Sequence, residues 1–177
     1  SASKIGADKL AEAFHLSFGV PLVTVRPFNT FGPRQSARAV IPTIVSQCLS
    51  GEVVRLGNLS PTRDLNYVSN TGDGFLRAGA TPGIEGRTIN LGSGREISIG
   101  DLAALIARLS DKEIQIESEP RRLRPEKSEV ERLLADNRLA RKLLGWEPAV
   151  SLETGLERTI AWIQAHQTAY RAEDYTL

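Results

Sequence analysis

The stretch "PLVTVRPFNTFGPRQ", residues 21–35, decides how this chain is read. Its first half, up to Arg26, is apolar and β-branched enough for a buried strand. Pro27 ends that strand, because proline has no N–H to give to a ladder. Asn29 and the Gly32-Pro33 pair then turn the chain. Before the stretch, residues 5–18 carry helical periodicity, with Ile5, Leu10, Ala13, Phe14 and Phe18 as expected buried positions. Gly19 and Pro21 supply the stop. After it come "AVIPTIVSQCLSG" (39–51), a helix stopped by Gly51, and "VVRL" (53–56), a strand. "NTGDGFLRAG" (70–79) reads as a helix and "RTINLGS" (87–93) as a strand running into a turn. Strands alternating with helices predict an α/β fold.

The second half continues the pattern. "SIGDLAALIARLS" (98–110) is the clearest helix: Ser98 caps it, Asp101 stands three residues on, and Leu102, Leu105, Ile106 and Leu109 share a face. "IQIE" (114–117) alternates like a half-exposed strand. "DNRLARKLLG" (136–145) is a short helix capped by Asp136 and stopped by Gly145. "SLETGLERTIAWIQAH" (151–166) carries Leu152, Leu156, Ile160 and Ile163 on one stripe, and the tail "TAYRAEDYTL" has no period and reads as loosely held. Four strands are few for a self-contained parallel sheet. The sheet is therefore expected to be completed by sequence outside these residues.

Composition excludes more than it assigns. The 177 residues carry a formal net charge of +1, so no global field points to nucleic acid or to a membrane surface. No apolar run is long enough for a bilayer span. One cysteine, Cys48, excludes an internal disulfide and fits a reducing cytoplasm. His15 and His166 have no metal-spaced partners, so no metal site is expected. Cys48, Trp146 and Trp162 read as packing residues. The chain contains no methionine, which, with its opening, implies the back part of a longer protein.

Five strings carry the chemistry: "SASKIG" at the start, "VRPFNTFGPRQ", "SPTRDLNYV" (60–68), "TINLGSG" (88–94) and "EPRRLRPEKSEVERLLAD" (119–136). In this order they make the chain resemble the C-terminal half of an extended short-chain dehydrogenase/reductase. Within that superfamily it is similar to the NAD-dependent epimerase/dehydratase family. "QSARAVIPTI", "SPTRDLNYV" and "RLRPEKSEVERL" look most like bacterial UDP-N-acetylglucosamine 4,6-dehydratases that feed surface-sugar pathways.

The resemblance implies a fold, sites and partners. Residues 1–35 would end a Rossmann-like dinucleotide-binding domain. Residues 36–165 would be mainly the substrate domain, with elements returning to the Rossmann part, and 166–177 a tail. Lys4 matches a catalytic lysine that lies one helical turn after a tyrosine, lowers its pKa and bonds the nicotinamide ribose. The tyrosine's position would fall just ahead of Ser1. Pro27 and Phe28 would border the nicotinamide of NAD or NADP, and Asn29 would bond the diphosphate or the sugar.

Further along, Val40 would offer backbone contacts at a helix start, where anions are favoured. Val54 and Leu56 would wall the base. Arg63 and Asn90 would stand near the diphosphate, Arg124 would reach across the nucleotide, and Glu126 would take the ribose hydroxyls. Asp64 reads as a structural residue that orients a neighbouring loop, while Arg121 and Arg122 read as solvated. The parent reaction would be oxidation at C4 of a hexose nucleotide, loss of water across C5–C6 and hydride return to C6.

"GSG" at 92–94 does not fit a G-x-G-x-x-G loop, so the dinucleotide phosphate cradle is expected elsewhere, and the chain alone is expected to be inactive. Other readings stay open: a 4-epimerase or decarboxylase part, or a non-catalytic UDP-sugar-binding or oligomerisation module. A homodimer through the helices at 5–18 and 39–50 is expected.

Overall fold

A computed structural model describes residues 2–123 and 129–170 of the chain. Helix α1 (Ala2–Phe18) leads into strand β1 (Thr24–Pro27). A two-residue strand β2 (Thr30–Phe31), helix α2 (Val40–Ser50) and strand β3 (Val53–Leu56) follow. Next come β4 (Thr62–Asp64), β5 (Asn66–Tyr67), α3 (Val68–Ala80) and β6 (Thr88–Leu91). The second half holds β7 (Glu96–Ser98), α4 (Ile99–Leu109), β8 (Gln115–Ser118), β9 (Arg132–Leu133), α5 (Arg138–Leu144) and α6 (Leu152–Ala165).

The four strands read from sequence pair with one another, β1 with β6 and β3 with β8, both in parallel. Parallel neighbours need crossovers, and the intervening helices supply them. The result is an α/β chain with a Rossmann-like arrangement. Five strands that the sequence did not betray are only two or three residues long. β2 pairs in parallel with β5, and β4 is flanked by antiparallel β7 and parallel β9. Segments this short show no period-2 pattern.

Two apolar clusters hold these elements. The larger joins α2, α4 and α6 over β3, with Ile44, Val45, Val54, Leu102, Ile106 and Leu156 fully buried. The smaller gathers Ile89, Leu91, Ala140, Leu144 and Trp146, with Val23 and Val25 packed against it. Trp146 sits there as a packing residue, its indole N–H donating to the Asn70 carbonyl at 3.0 Å. Ser98 caps α4 as read, accepting from the Asp101 amide at 3.0 Å. Gly145 ends α5 in the left-handed region at φ 57°, which a residue with a Cβ adopts only under strain. At the start of α5 the structure corrects the reading. The N-cap is Asn137, and Asp136, one residue earlier, accepts from the Arg138 amide at 3.1 Å.

Two other expectations fail. Helix α1 forms, but none of its residues is buried; Ile5 is 63% and Phe18 74% exposed. The two-stranded β1–β6 sheet is too narrow to cover its apolar face. Conversely, of the stretch read as loosely held (168–177), the described part is held at Tyr170, which is 8% exposed and donates its hydroxyl to the Gln35 carbonyl at 3.1 Å; residues 171–177 lie outside the described residues. Helix α2, in contrast to α1, spends its apolar face inside the chain.

Candidate functional site

The loop after β1 and the start of α2 open onto a cavity of about 440 Å³. Asn29, Arg38, Val40, Leu56 and Arg63 all line it, which brings together residues far apart in sequence. α2 begins at Ala39 with no side-chain cap, so its first amides face this region without a competing acceptor from a capping side chain. An N-terminus left in that state favours an anion. Pro42 at the third helical position has no N–H and needs no partner.

Arg63 is the best-anchored cation of the wall. Its side chain is 16% exposed. It donates from Nη1 to the carbonyls of Thr62 and Val130, at 2.8 and 2.6 Å, and from Nη2 to Glu129 Oε1 at 2.9 Å. Those bonds fix the guanidinium plane. Asn29 spends one amide hydrogen on the Asp64 carbonyl at 3.1 Å, which fixes its side chain beside β4. Leu65 and Ile99 add an apolar section to the wall. The arrangement pairs fixed cations and a helix start with an apolar surface, a combination suited to a molecule with both phosphate and ring faces.

Arg122 overturns its reading as a solvated residue. Its side chain is 13% exposed, pairs with Glu119 at 2.5 Å and lines the cavity. Gly57 explains its place: a Cβ there would lie 2.4 Å from the Arg122 carbonyl oxygen, so only glycine lets the two backbones approach this closely. Glu129 is the acid of the described wall. The sequence reading placed that role at Glu126, which, with Arg124, lies outside the described residues. The signal was present, since both acids belong to the same charged run, but neither spacing nor composition chooses between them.

Other expected residues lie apart from this cavity. Val54 is fully buried in the larger core and does not line it, whereas Leu56, two residues on along the same strand face, reaches the cavity at the end of β3. Asn90 belongs to a shallower depression with Asp136 and Arg138, and its amide reaches the Asp136 carbonyl at 3.4 Å. There the Arg138 guanidinium holds the Asp136 carboxyl down to about 2.

Lys4 is exposed near the start of α1, and Pro27 and Phe28 close β1, where the Phe28 amide donates to the Leu91 carbonyl at 2.9 Å. Among the described residues, no glycine-rich turn joins a strand to a helix start in the G-x-G-x-x-G pattern. The "GSG" turn at 92–94 leads into β7 instead. The described residues therefore do not form a cradle for the phosphates of a dinucleotide. Among them no group of His, Cys, Asp and Glu has the makings of a metal site, and no helix is long and apolar enough to cross a membrane.

Parallel strands, crossover helices and a cation-lined cavity at the strand ends define an α/β protein with its ligand-sized cavity where such folds bind ligands. Residues 1–159 match the family model for GDP-mannose 4,6 dehydratase, and the chain belongs to that family. It is an extended short-chain dehydrogenase/reductase of the epimerase and dehydratase type. A dTDP-glucose 4,6-dehydratase of Xanthomonas campestris pv. campestris is 30% identical over 95% of this chain and 50% of its own length. A UDP-glucuronate 4-epimerase of Thermodesulfobacterium geofontis is 31% identical over 92% of this chain and 49% of its own.

Among solved structures, the UDP-glucuronic acid 4-epimerase from Bacillus cereus in complex with UDP-glucuronic acid and NAD superposes with a TM-score of 0.85 at 28% identity. It covers 93% of this chain and 52% of that one. The chain thus spans about half the length of the curated relatives it matches.

Proposed function

We propose that the chain is the nucleotide-sugar-binding part of a nicotinamide-dependent sugar-nucleotide 4,6-dehydratase acting on UDP-N-acetylglucosamine or a similar hexose nucleotide. The observation that carries this is the convergence of Arg38, Arg63 and Arg122 with the uncapped start of α2 on one cavity. A diphosphate bears charge on several oxygens at once, and planar guanidinium groups meet such oxygens in pairs. Leu56, Leu65 and Ile99 give the apolar surface that a base needs. Glu129 supplies acceptors for ligand hydroxyls, as Glu126 was expected to.

Asn29 orients the sugar end of the ligand. Lys4, Pro27 and Phe28 border the nicotinamide of NAD or NADP, which supplies hydride transfer when bound. Val40 and Arg124 keep the roles the family resemblance gives them, while Asn90, in a separate depression, takes no part in this cavity. The cytoplasm, where a single thiol stays reduced, is the compartment we assign. A 4-epimerase is the second reading, supported by the epimerases among the relatives.

Calorimetry with UDP, dTDP and GDP, free and as sugar conjugates, tests the binding role. Saturable binding of UDP-N-acetylglucosamine, with weaker binding of N-acetylglucosamine alone, is the expected result. Equal affinity for the free sugar would overturn it. The 177-residue chain with NAD and the same sugar is expected to give no 4-keto product. Formation of product would show the whole reaction in these residues.

A further inference from the structure

A carboxylate with no ion-pair partner among the described residues lies beside the site. Asp64 is 0% exposed. Its Oδ1 accepts from the Ser93 amide and the Ser93 hydroxyl, each at 2.7 Å. Its Oδ2 accepts from the Gly94 amide at 3.0 Å and the Ala135 amide at 3.1 Å. The glycine turn at 92–94 therefore cradles an anion after all, but one supplied by this chain. Gly92 leaves room for it, since a Cβ there would stand 2.8 Å from Oδ2 and 2.3 Å from the Ala135 Cβ.

We propose that Asp64 is a positioning residue that sets Arg63 and Glu129 in the geometry that receives a ligand diphosphate, a proposal that rests on the binding role given above. β4 has a neighbour on each side, β7 in register Asp64↔Glu96 and β9 in register Arg63↔Leu133. Ser93 and Gly94 lead into β7, and Ala135 follows β9. Asp64 thus pins both neighbours at the corner where they meet β4. Glu129 and Val130, the partners of Arg63, lead into β9, and the Thr62 amide holds that lead at the Glu131 carbonyl at 2.8 Å. The Asp64 main-chain carbonyl meanwhile holds Asn29. One residue ties three segments, the Asn29 loop of the cavity wall and the flanks of β7 and β9 behind it, to a strand of three residues, which has few ladder bonds of its own.

The carboxylate is needed, not merely a polar side chain. An ionised Asp is acceptor-only and offers both oxygens to the four converging donors. An asparagine would set an NH2 group against two of those N–H groups. Burial without acceptors is costly for each of them.

The test is Asp64→Asn, with Ser93→Ala as a milder partner that removes one of the four bonds to the carboxylate, together with the hydroxyl's two bonds to the Arg95 main chain. An Ile163 substitution, to Val or Ala, matches the loss of Tm away from the site. Binding of UDP is read by calorimetry. Asp64→Asn is expected to weaken it about tenfold and Ser93→Ala less, while the Ile163 variant of equal Tm stays within about twofold of the parent. An Asp64→Asn affinity equal to that of the Tm-matched variant would overturn the proposal. Should Asp64→Asn not fold, an unchanged affinity in Ser93→Ala would do so.

Hydrogen exchange without ligand separates this proposal from the binding role itself. Protection is expected to fall in residues 62–66, 92–96 and 129–135 and to hold in α2 and α6. A uniform fall across the chain would reduce Asp64 to general stability. Failure of the parent chain to bind UDP, with the local pattern intact, would sink the binding role and leave the positioning of Arg63 standing.

Discussion

Arg63 and Glu129 meet at 2.9 Å on the cavity wall, although 66 positions separate them in the sequence. Both side chains are largely withdrawn from water, at 16% and 12% exposure, so the pair is screened less than a surface ion pair. The geometry leaves Arg63 fixed before any ligand arrives, and fixed groups bind with less ordering cost.

Arg63→Ala is therefore expected to weaken binding of UDP by roughly tenfold or more, since hydrogen bonds to charged groups contribute about 1.5–3 kcal/mol. Arg63→Lys keeps the charge but loses the planar fork, and its loss is expected to lie between the two. Calorimetry on the two variants checks the order. Equal affinity in the alanine variant would remove Arg63 from the site.

Gly155 lies where α6 crosses an edge-to-face pair, Phe31 and Tyr67, whose ring centroids are 5.6 Å apart. A Cβ at Gly155 would stand 2.8 Å from both Phe31 Cζ and Tyr67 Cδ2. Gly155→Ala gains about 1 kcal/mol of helix propensity. Overpacking a full core loses about 1–3 kcal/mol, and Phe31 at 1% exposure has nowhere to retreat. A lower Tm is the expected outcome, read by calorimetric melting; a higher one would show that the rings give way.

The parts of this fold that sequence reveals are those with a long enough period. α4 was legible from its cap and its leucines, and β1, β3, β6 and β8 from their apolar runs. The strand pair β2–β5 and the β7–β4–β9 sheet were not, because a two-residue strand is a consequence of tertiary pairing. The site divides the same way. Asn29, Leu56 and Arg63 came from ordered motifs and do line the cavity. Glu129 and Arg122 sit in a run of alternating charge, where only the fold decides which side chain turns inward. Val54 shows the converse error, since strand alternation puts it on one buried face with Leu56 but does not say which position along that face the pocket reaches.

Cys48 lies inside the larger core at 1% exposure, and burial pushes its thiol from 9.0 up to about 11. The raised value means that the neutral thiol is favoured in the folded state. Its contribution to stability is whole below 9.0 and is lost as pH rises towards 11. The native protein is expected to resist a thiol reagent at about pH 8 and to react at once in denaturant. Cys48→Ala is expected to flatten the decline of Tm between those two values. Rapid labelling of the folded chain would contradict the burial.

Helix α1 carries the remaining prediction. Leu10, Phe14 and Phe18, four apart on one helix face, are 61%, 47% and 74% exposed, and the Phe14 and Phe18 rings meet tilted with centroids 5.4 Å apart. Side chains on an open face contribute little to the fold of the described residues. Leu10→Glu with Phe14→Glu is thus expected to leave Tm nearly unchanged, where the same change in a core helix would unfold the chain. A contiguous apolar face also drives association. We expect the chain to self-associate through α1, and not through α2, whose face is already buried. Sedimentation of the parent chain and the double variant checks this. A dimer that becomes a monomer at unchanged Tm is the expected result, and a dimer that survives the two glutamates would place the contact elsewhere.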